Sequence, residues 1–195
     1  MIAGEHLFWN TSRAAGGAAL ILASAAVAVG LMMSAKRPSA NTNKRDLRAI
    51  HEALSLTTLV MVALHGLSLL GDAYLNPGPV GIAIPFVGFY RPLWTGLGIV
   101  AGYGLAALGL TYYARDRIGA ARWRKLHRFT AAFWVLAIVH TIGAGSDAAQ
   151  LWFLLASGIV VVPAAALLAL RYLDRWWNGF SASTNSTRGR WSFPW

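Results

Sequence analysis

Four histidines of this chain lie in two long apolar segments at closely matched spacing. His51 and His65 are fourteen residues apart in one segment, and His127 and His140 are thirteen apart in the other. An ionisable side chain inside a bilayer is costly and rare, so each histidine is a candidate functional residue if these segments cross a membrane. Neutral imidazole is a common axial ligand of haem iron. Two haems, each clamped between two helices, would need this set of four ligands.

The composition favours such a membrane protein. The chain has 195 residues, of which 56% are hydrophobic and only 12% charged, and a soluble domain of this length needs more polar surface. Crossing a hydrocarbon core takes about 20 apolar residues in a helix. We therefore predict an all-α integral membrane bundle with about five spans, near residues 15–35, 50–71, 93–114, 126–144 and 150–171.

The positions of the basic residues predict the orientation of the bundle. Of 17 Lys and Arg, 15 fall in three clusters between or after apolar segments, and only Arg13 and Arg91 lie on the opposite side. Basic loops stay on the cytoplasmic side of a membrane, so the N-terminus is expected outside and the C-terminus inside. This pattern explains the net charge of +10 without a nucleic-acid partner. The three clusters are Lys36, Arg37, Lys44, Arg45 and Arg48; Arg115, Arg117, Arg122, Arg124, Lys125 and Arg128; and Arg171, Arg175, Arg188 and Arg190.

We divide the chain into three parts. Residues 1–14 form an outer N-terminal segment, 15–172 a transmembrane haem-binding domain, and 173–195 a cytoplasmic tail rich in aromatic and basic residues. The positive charge follows the first apolar segment instead of preceding it, which favours an uncleaved anchor over a signal peptide. The tail suits the lipid headgroup region; a docking strip for an electron donor is the alternative. The outer connection 71–92 either lies along the interface or folds over a cofactor.

The depths of the four histidines match. The second and fourth spans run parallel because one crossing separates them. With a rise of 1.5 Å per residue, the two histidines of each span are about 20 Å apart along the axis. His51 and His127 therefore share an inner level, and His65 and His140 an outer one. At about 100° per residue, however, thirteen steps on a straight helix would turn His127 and His140 well apart. Either the fourth span is irregular, or its ligands approach the cofactors from different flanks.

Basic residues next to the inner histidines are candidates for contact with haem propionates. Arg48 precedes His51 by three residues and Arg124 precedes His127 by three, with Arg128 beside them. Each cation can pair with a carboxylate, although a residue that only sets the topology would stand at the same positions. The chain has no cysteine, so any haem is bound non-covalently, as b-type haem. His6, in the outer segment, is not expected to be a ligand.

These residues resemble the ferric reductase-like transmembrane domain family, which includes ferric reductases, NADPH oxidases and the haem-bearing membrane subunit of the periplasmic methionine-sulfoxide reductase system. The family hallmark is two helices, separated by one crossing, that each carry two haem-ligating histidines at spacings of thirteen or fourteen. Tyr90-Arg91-Pro92-Leu93-Trp94 and Arg124-Lys125-Leu126-His127-Arg128 look like small bacterial members. The resemblance covers spans two to five, and it implies that His51 pairs with His127 and His65 with His140.

Two features depart from the larger family members. They usually have six spans, whereas we predict five. They also continue into cytosolic flavin- and nicotinamide-binding domains, whereas only some two dozen residues follow the fifth span here. We therefore expect no flavin or nicotinamide site within this chain and a separate electron donor, either a flavoprotein or a quinol.

The leading hypothesis is a di-haem b-type cytochrome that passes electrons from inside to outside across a bacterial-type inner membrane. The sequence names no outer acceptor and no catalytic residue. One alternative is a haem b anchor subunit of a quinol-linked oxidoreductase complex. An alternative of a different class is a haem-free proton or metal pathway lined by histidines.

Overall fold

The computed structural model describes residues 6–34 and 43–188, with side chains as far as residue 177. Within this part the chain is helical throughout. Short turns and a 3₁₀ turn at Leu69–Gly71 connect the α-helices, which are α1 (Leu7–Met33), α2 (Lys44–Ser68), α3 (Gly78–Ala83), α4 (Pro92–Leu110), α5 (Arg115–Ile118), α6 (Ala120–His127), α7 (Thr130–Ala144) and α8 (Leu151–Arg188).

Five helical stretches in this part are long and apolar enough to cross a membrane, as predicted from the sequence. They are Leu7–Met33, Lys44–Gly71, Pro92–Leu110, Ala120–Ala144 and Leu151–Trp177. A spanning segment must satisfy its backbone groups internally, which is why apolar runs of this length become helices. The first begins eight residues before the predicted span. The helix of the fifth continues into the predicted tail as far as Arg188, while Arg190, Trp191, Phe193 and Trp195 lie outside the described residues.

The spans pack as two antiparallel helix pairs. α2 packs along α1, and α7 packs along α4, while α8 lies against α1. α2 and α7, which carry the histidines, are not packed against each other and are connected mainly through their neighbours. The two histidine-bearing helices therefore face one another across a space within the bundle.

The fourth span is interrupted between its two histidines. α6 ends at His127, a turn follows at Arg128 and Phe129, and α7 begins at Thr130. In this turn the Phe129 amide donates to the Leu126 carbonyl over 2.9 Å, a three-residue step that is tighter than the α-helical one. Of the two sequence-based alternatives, the irregular span is therefore the one the structure adopts.

The connection between the second and third spans folds along α4. The Tyr103 hydroxyl donates to the Ala83 carbonyl over 2.7 Å, and the Phe86 ring lies directly against Gly96. Val80, Val87 and Phe89 expose most of their side chains. We had two expectations for this segment, that it lies along the membrane interface or that it folds over a cofactor. The exposure of these apolar side chains agrees with the first, because apolar side chains are stabilised at the lipid interface.

The centre of the bundle is built around Trp134, which is only 1% exposed. Its indole Nε1 donates to the hydroxyl of Ser24 over 2.9 Å, and that hydroxyl in turn donates to the Leu20 carbonyl. Ala23 and Ala164 pack around the ring. Small residues on α1 and α8 thus let the helices approach a large aromatic side chain of α7.

The orientation leads to a labelling prediction, since the chain has no native cysteine. Tyr74→Cys, at a position 90% exposed in the outer connection, should react with a membrane-impermeant maleimide on intact cells. Asp116→Cys, in the α5 region, should react only after lysis. The opposite pattern of labelling would contradict the proposed orientation.

A second prediction concerns the Trp134–Ser24 hydrogen bond. Ser24→Ala removes the acceptor of a buried indole N–H and should lower the stability by about 1 kcal/mol, the usual size of an interhelical hydrogen bond in a membrane. Ser157→Ala is the control, because the Ser157 hydroxyl is also buried but bonds only within its own helix, to Phe153. Thermal unfolding in detergent should separate the two variants, and equal midpoints would argue against a stabilising bond.

Candidate functional site

The four histidines meet as two pairs at opposite ends of the bundle. The ring centres of His51 and His127 are 6.1 Å apart with planes at 82°, and those of His65 and His140 are 6.2 Å apart at 69°. Each pair joins α2 to the fourth span. The structure therefore brings together the residues that the sequence placed at one depth, despite the thirteen-residue spacing of the second pair.

Three of the four rings are oriented by a backbone carbonyl of a neighbouring helix. Nδ1 of His51 donates to the Ala26 carbonyl over 2.9 Å, Nδ1 of His65 to the Ser12 carbonyl over 2.8 Å, and Nδ1 of His140 to the Trp94 carbonyl over 2.9 Å. A carbonyl only accepts, so the proton sits on Nδ1. Nε2, with its lone pair, is left to bind another group.

His127 is held differently. Its buried Nδ1 makes no hydrogen bond of normal geometry among the described residues, although the Leu108 carbonyl of α4 lies close to this ring. The indole of Trp123 stacks on its ring, with centres 4.9 Å apart and planes at 23°, and the buried Nε1 of Trp123 is likewise without a partner there. The stacked indole thus adds to the support that a helix carbonyl gives this ring.

A cavity of about 610 Å³ surrounds the inner pair, which is within the usual range for a cofactor site, about 300–1,000 Å³. Apolar side chains from α1, α2 and α4 line most of it, including Val27, Leu59 and Leu105. Its polar lining includes five cationic residues: Arg124, Lys125, Arg128, Arg171 and Arg175.

The predicted cations divide into two groups in the structure. Arg124 and Arg128 line the inner cavity with His51 and His127. Arg48 does not line it; its side chain is exposed on the first turns of α2. The sequence spacing therefore identified Arg124 and Arg128 correctly as residues beside the inner histidines. It did not predict that Arg48 lies outside the cavity.

Sequence reasoning missed two groups of site residues. One consists of Arg171 and Arg175 on α8, which are spaced four residues apart and so share a helix face; that spacing was the available signal. The guanidinium of Arg171 also donates to the Ser34 hydroxyl. The other group is the set of backbone carbonyls on α1 and α4 that accept hydrogen bonds from the histidines. The sequence analysis predicted no contact between the histidines and the first or third span.

At the end of the bundle that carries His51 and His127, the turn after α4 is tied to α2. The Tyr113 hydroxyl donates to a carboxylate oxygen of Glu52 over 2.9 Å. This bond to the Glu52 carboxylate raises the pKa of Tyr113 above its ordinary value, because the carboxylate favours the protonated phenol. Glu52 follows His51 directly, so the bond connects the inner histidine level to the α4–α5 turn.

At the end of the bundle that carries His65 and His140, Arg13 and Arg91 are both tied to the protein. Arg13 of α1 forms a two-pronged ion pair with Asp147, in which Nε donates to Oδ2 over 3.0 Å. Arg91 donates to the Gly143 carbonyl over 2.6 Å. These contacts fasten the outer ends of α1 and α4 to the α7–α8 region, on the side of His65 and His140.

The residues present fit iron porphyrin at each pair. First-row metal ions bind imidazole nitrogen at about 2.0 Å, so two imidazoles on opposite sides of one metal have ring centres about 6 Å apart, as both pairs do. The described residues contain no cluster of three or more metal-binding side chains, so their donor sets are imidazole pairs. The inner cavity adds apolar walls for a macrocycle and cations for its carboxylates.

The architecture defines a multi-pass membrane protein, and its bundle holds two pairs of histidines. The family described as "Ferric reductase like transmembrane component" matches residues 15–138, more than half of the chain. The chain belongs to this family, whose transmembrane domains generally bind haem and act as membrane components of electron transfer. The match covers α1 from residue 15 onward, which the sequence resemblance did not cover. It ends two residues before His140 and does not reach the fifth span, which the resemblance included. No curated protein and no solved structure matches the chain.

Proposed function

We propose that this protein carries electrons across a bacterial inner membrane through two b-type haems, from the inside to the outside. The observation that carries this proposal is the presence of two imidazole pairs, each about 6 Å between ring centres, at two levels of one bundle. His51 and His127 would bind the inner haem, and His65 and His140 the outer one. Each haem, when bound, supplies an iron that accepts and releases one electron at a time.

The protein's own residues supply ligation, orientation and charge. The carbonyl bonds at Nδ1 fix the tautomer in which Nε2 is the ligand atom, as is usual for metal-binding histidines. Arg124, Lys125 and Arg128 offset the negative charge of propionates at the inner cavity, together with the α8 pair Arg171 and Arg175.

Aromatic residues fill the space between the two levels. Trp134 lies seven residues after His127 and six before His140, and its ring is buried against α1 and α8. Phe133, its neighbour, packs on the opposite side against Gly104 of α4. A filled interior keeps water from the path between the two pairs, so that electrons and not protons cross.

The donor is a separate flavoprotein or quinol on the cytoplasmic or membrane side, and the acceptor lies outside. The strong positive charge of the inner surface, from α5 and α6, suits an acidic donor. The experiments below also distinguish this function from the two alternatives, a quinol-linked anchor subunit and a haem-free pathway.

Haem content and electron transfer test this function together. Purified protein should show a b-type reduced-minus-oxidised spectrum with about two haems per chain, one for each bis-histidine pair. His65→Ala should retain one haem, and vesicles that contain this variant should no longer pass electrons from external dithionite to entrapped ferricyanide. His6→Ala, at an exposed histidine outside both pairs, is the control and should behave like the wild type.

A colourless, correctly inserted protein would support the haem-free pathway instead. Reduction of the haems by an added quinol, without a flavoprotein, would favour the anchor-subunit alternative. Undiminished transfer in His65→Ala vesicles would show that the outer pair is not on the electron path.

The cations of the inner cavity give a further prediction. Arg128→Gln and Arg171→Gln each remove a positive charge from the cavity lining and should weaken retention of the inner haem by about 10-fold or more, as outer-shell changes at metal sites do. Arg48→Gln is the matched control, because Arg48 is exposed and lies outside the cavity. Haem transfer to apomyoglobin measures retention, and equal loss rates in all three variants would contradict this assignment.

A further inference from the structure

α7 and α8 stand apart in the half of the bundle that carries His51 and His127. α8 packs along α1 and α7 along α4, but α7 and α8 make few close contacts with each other in the described part of the chain. Trp134 of α7 reaches across to Ala164 of α8. Beside this contact a slot of about 460 Å³ remains open between the two helices, and we call it the α7–α8 slot.

The walls of the α7–α8 slot are apolar. Phe129, Ala132 and Leu136 of α7 line it at intervals of three and four residues, so they share one face of that helix. Leu168 and Tyr172 of α8 stand opposite them. Phe129 is 61% exposed and Tyr172 63% exposed, so the slot opens at the outside of the bundle. In a membrane protein such an apolar opening meets the hydrocarbon chains of lipid.

One end of the slot leads to arginines. Arg128, Leu168 and Tyr172 line both the slot and the inner cavity. Arg175 continues the same face of α8, three residues after Tyr172, and lines the cavity side of the junction. Arg171 is close enough to both Arg128 and Arg175 for their like charges to repel. The slot is therefore an apolar groove that ends in a cluster of positive charge.

The positive charge at this junction exceeds what a haem in the inner cavity would balance. Five cationic residues line that cavity, and no Asp or Glu of the described residues lines the cavity or the slot. Asp174, on the same part of α8, belongs to neither lining. The two carboxylates of one haem would leave a positive surplus, and this surplus attracts a further anion.

The apolar walls and the cations together select an amphiphile with a negative head group. A free phosphate ion would contact the arginines and leave the walls uncovered, whereas a neutral lipid would cover the walls and leave the charge unpaired. Arginine suits a phosphate group in particular, because its N–H donors bind two oxygens at once. The volume of the slot equals about one turn of an α-helix 10 Å across, which is too little for a span of another protein.

We propose that the α7–α8 slot binds one anionic phospholipid, with an acyl chain between the two helices and the phosphate at Arg128 and Arg175. Basic pockets between membrane helices are known places for such head groups. The wall from Phe129 to Leu136 is about 10 Å long, which suits the upper part of an acyl chain in a leaflet about 15 Å deep. The bound lipid closes the inner cavity on the side where α7 and α8 do not pack. This site is separate from the histidine pairs and does not require haem.

Native mass spectrometry of the delipidated protein tests the site, with dioleoylphosphatidylglycerol as the anionic lipid and dioleoylphosphatidylcholine as the neutral one. The wild type should bind one phosphatidylglycerol at least about tenfold more tightly than phosphatidylcholine, since each arginine near a phosphate contributes about fivefold. Arg128→Gln and Arg175→Gln should each weaken binding of phosphatidylglycerol about fivefold and leave phosphatidylcholine unaffected. Arg48→Gln, at an exposed residue outside both linings, is the matched control and should bind both lipids like the wild type.

A second pair of variants tests the apolar part of the site. Ala132 lines the slot but not the inner cavity, so Ala132→Trp should fill the slot, abolish retention of the lipid and leave the haem content unchanged. Ala166→Trp is the control. Ala166 is exposed on α8 and lies two residues before Leu168, on the opposite face of the helix at the same depth. Loss of lipid from both variants, or from neither, would contradict the placement of the acyl chain.

One measurement on the wild type does not depend on the folding of these variants. A phosphatidylglycerol that carries a diazirine on its acyl chain should label the segments 129–136 and 168–172. Equal affinity for the two lipids, or labelling spread evenly over the exposed faces of all five spans, would overturn this site while leaving electron transfer in place. Selective binding of phosphatidylglycerol by a protein that takes up no haem would support the site and overturn the proposed function instead.

Discussion

The structure depends on how an imidazole ring is held inside a membrane. A histidine has two ring nitrogens, and a bilayer offers water to neither of them, so each needs a partner within the protein. In three of the four rings Nδ1 is bonded to a helix carbonyl, which can accept a second hydrogen bond because oxygen has two lone pairs. The bond sets the tautomer and the direction of the ring, and it leaves Nε2 available to bind a metal.

This requirement explains the pairing of the helices. The two helices that carry the histidines do not pack against each other, which leaves a space between them. α2 packs on α1 and α7 on α4, so each histidine-bearing helix is oriented by a neighbour. α1 and α4 contribute no histidine to either pair, yet the geometry of the pairs depends on them. Their close approach to the rings requires glycine at three positions.

The two ends of the bundle differ in charge. At the inner end a wide cavity with a cationic lining surrounds His51 and His127. At the end that carries His65 and His140, Arg13 is paired with the carboxylate of Asp147 and Arg91 bonds to the Gly143 carbonyl, so one of the two cations there has its charge compensated. The asymmetry in charge arises partly from the rule that basic residues remain inside, and the folded bundle brings some of those residues to the inner cavity.

The sequence by itself determined the number of spans and the depth of the four histidines, because apolar length and the rise per residue are local properties of a helix. The sequence left open how His127 and His140 both come to face α2, because the turn at Arg128 and Phe129 contains no helix-breaking residue such as proline. The direction of Arg48, the contribution of Arg171 and the carbonyls of Ser12, Ala26 and Trp94 were decided only by the tertiary structure. These features depend on which helices pack together and on how each helix is rotated about its axis. A periodic apolar pattern in the sequence specifies neither of these.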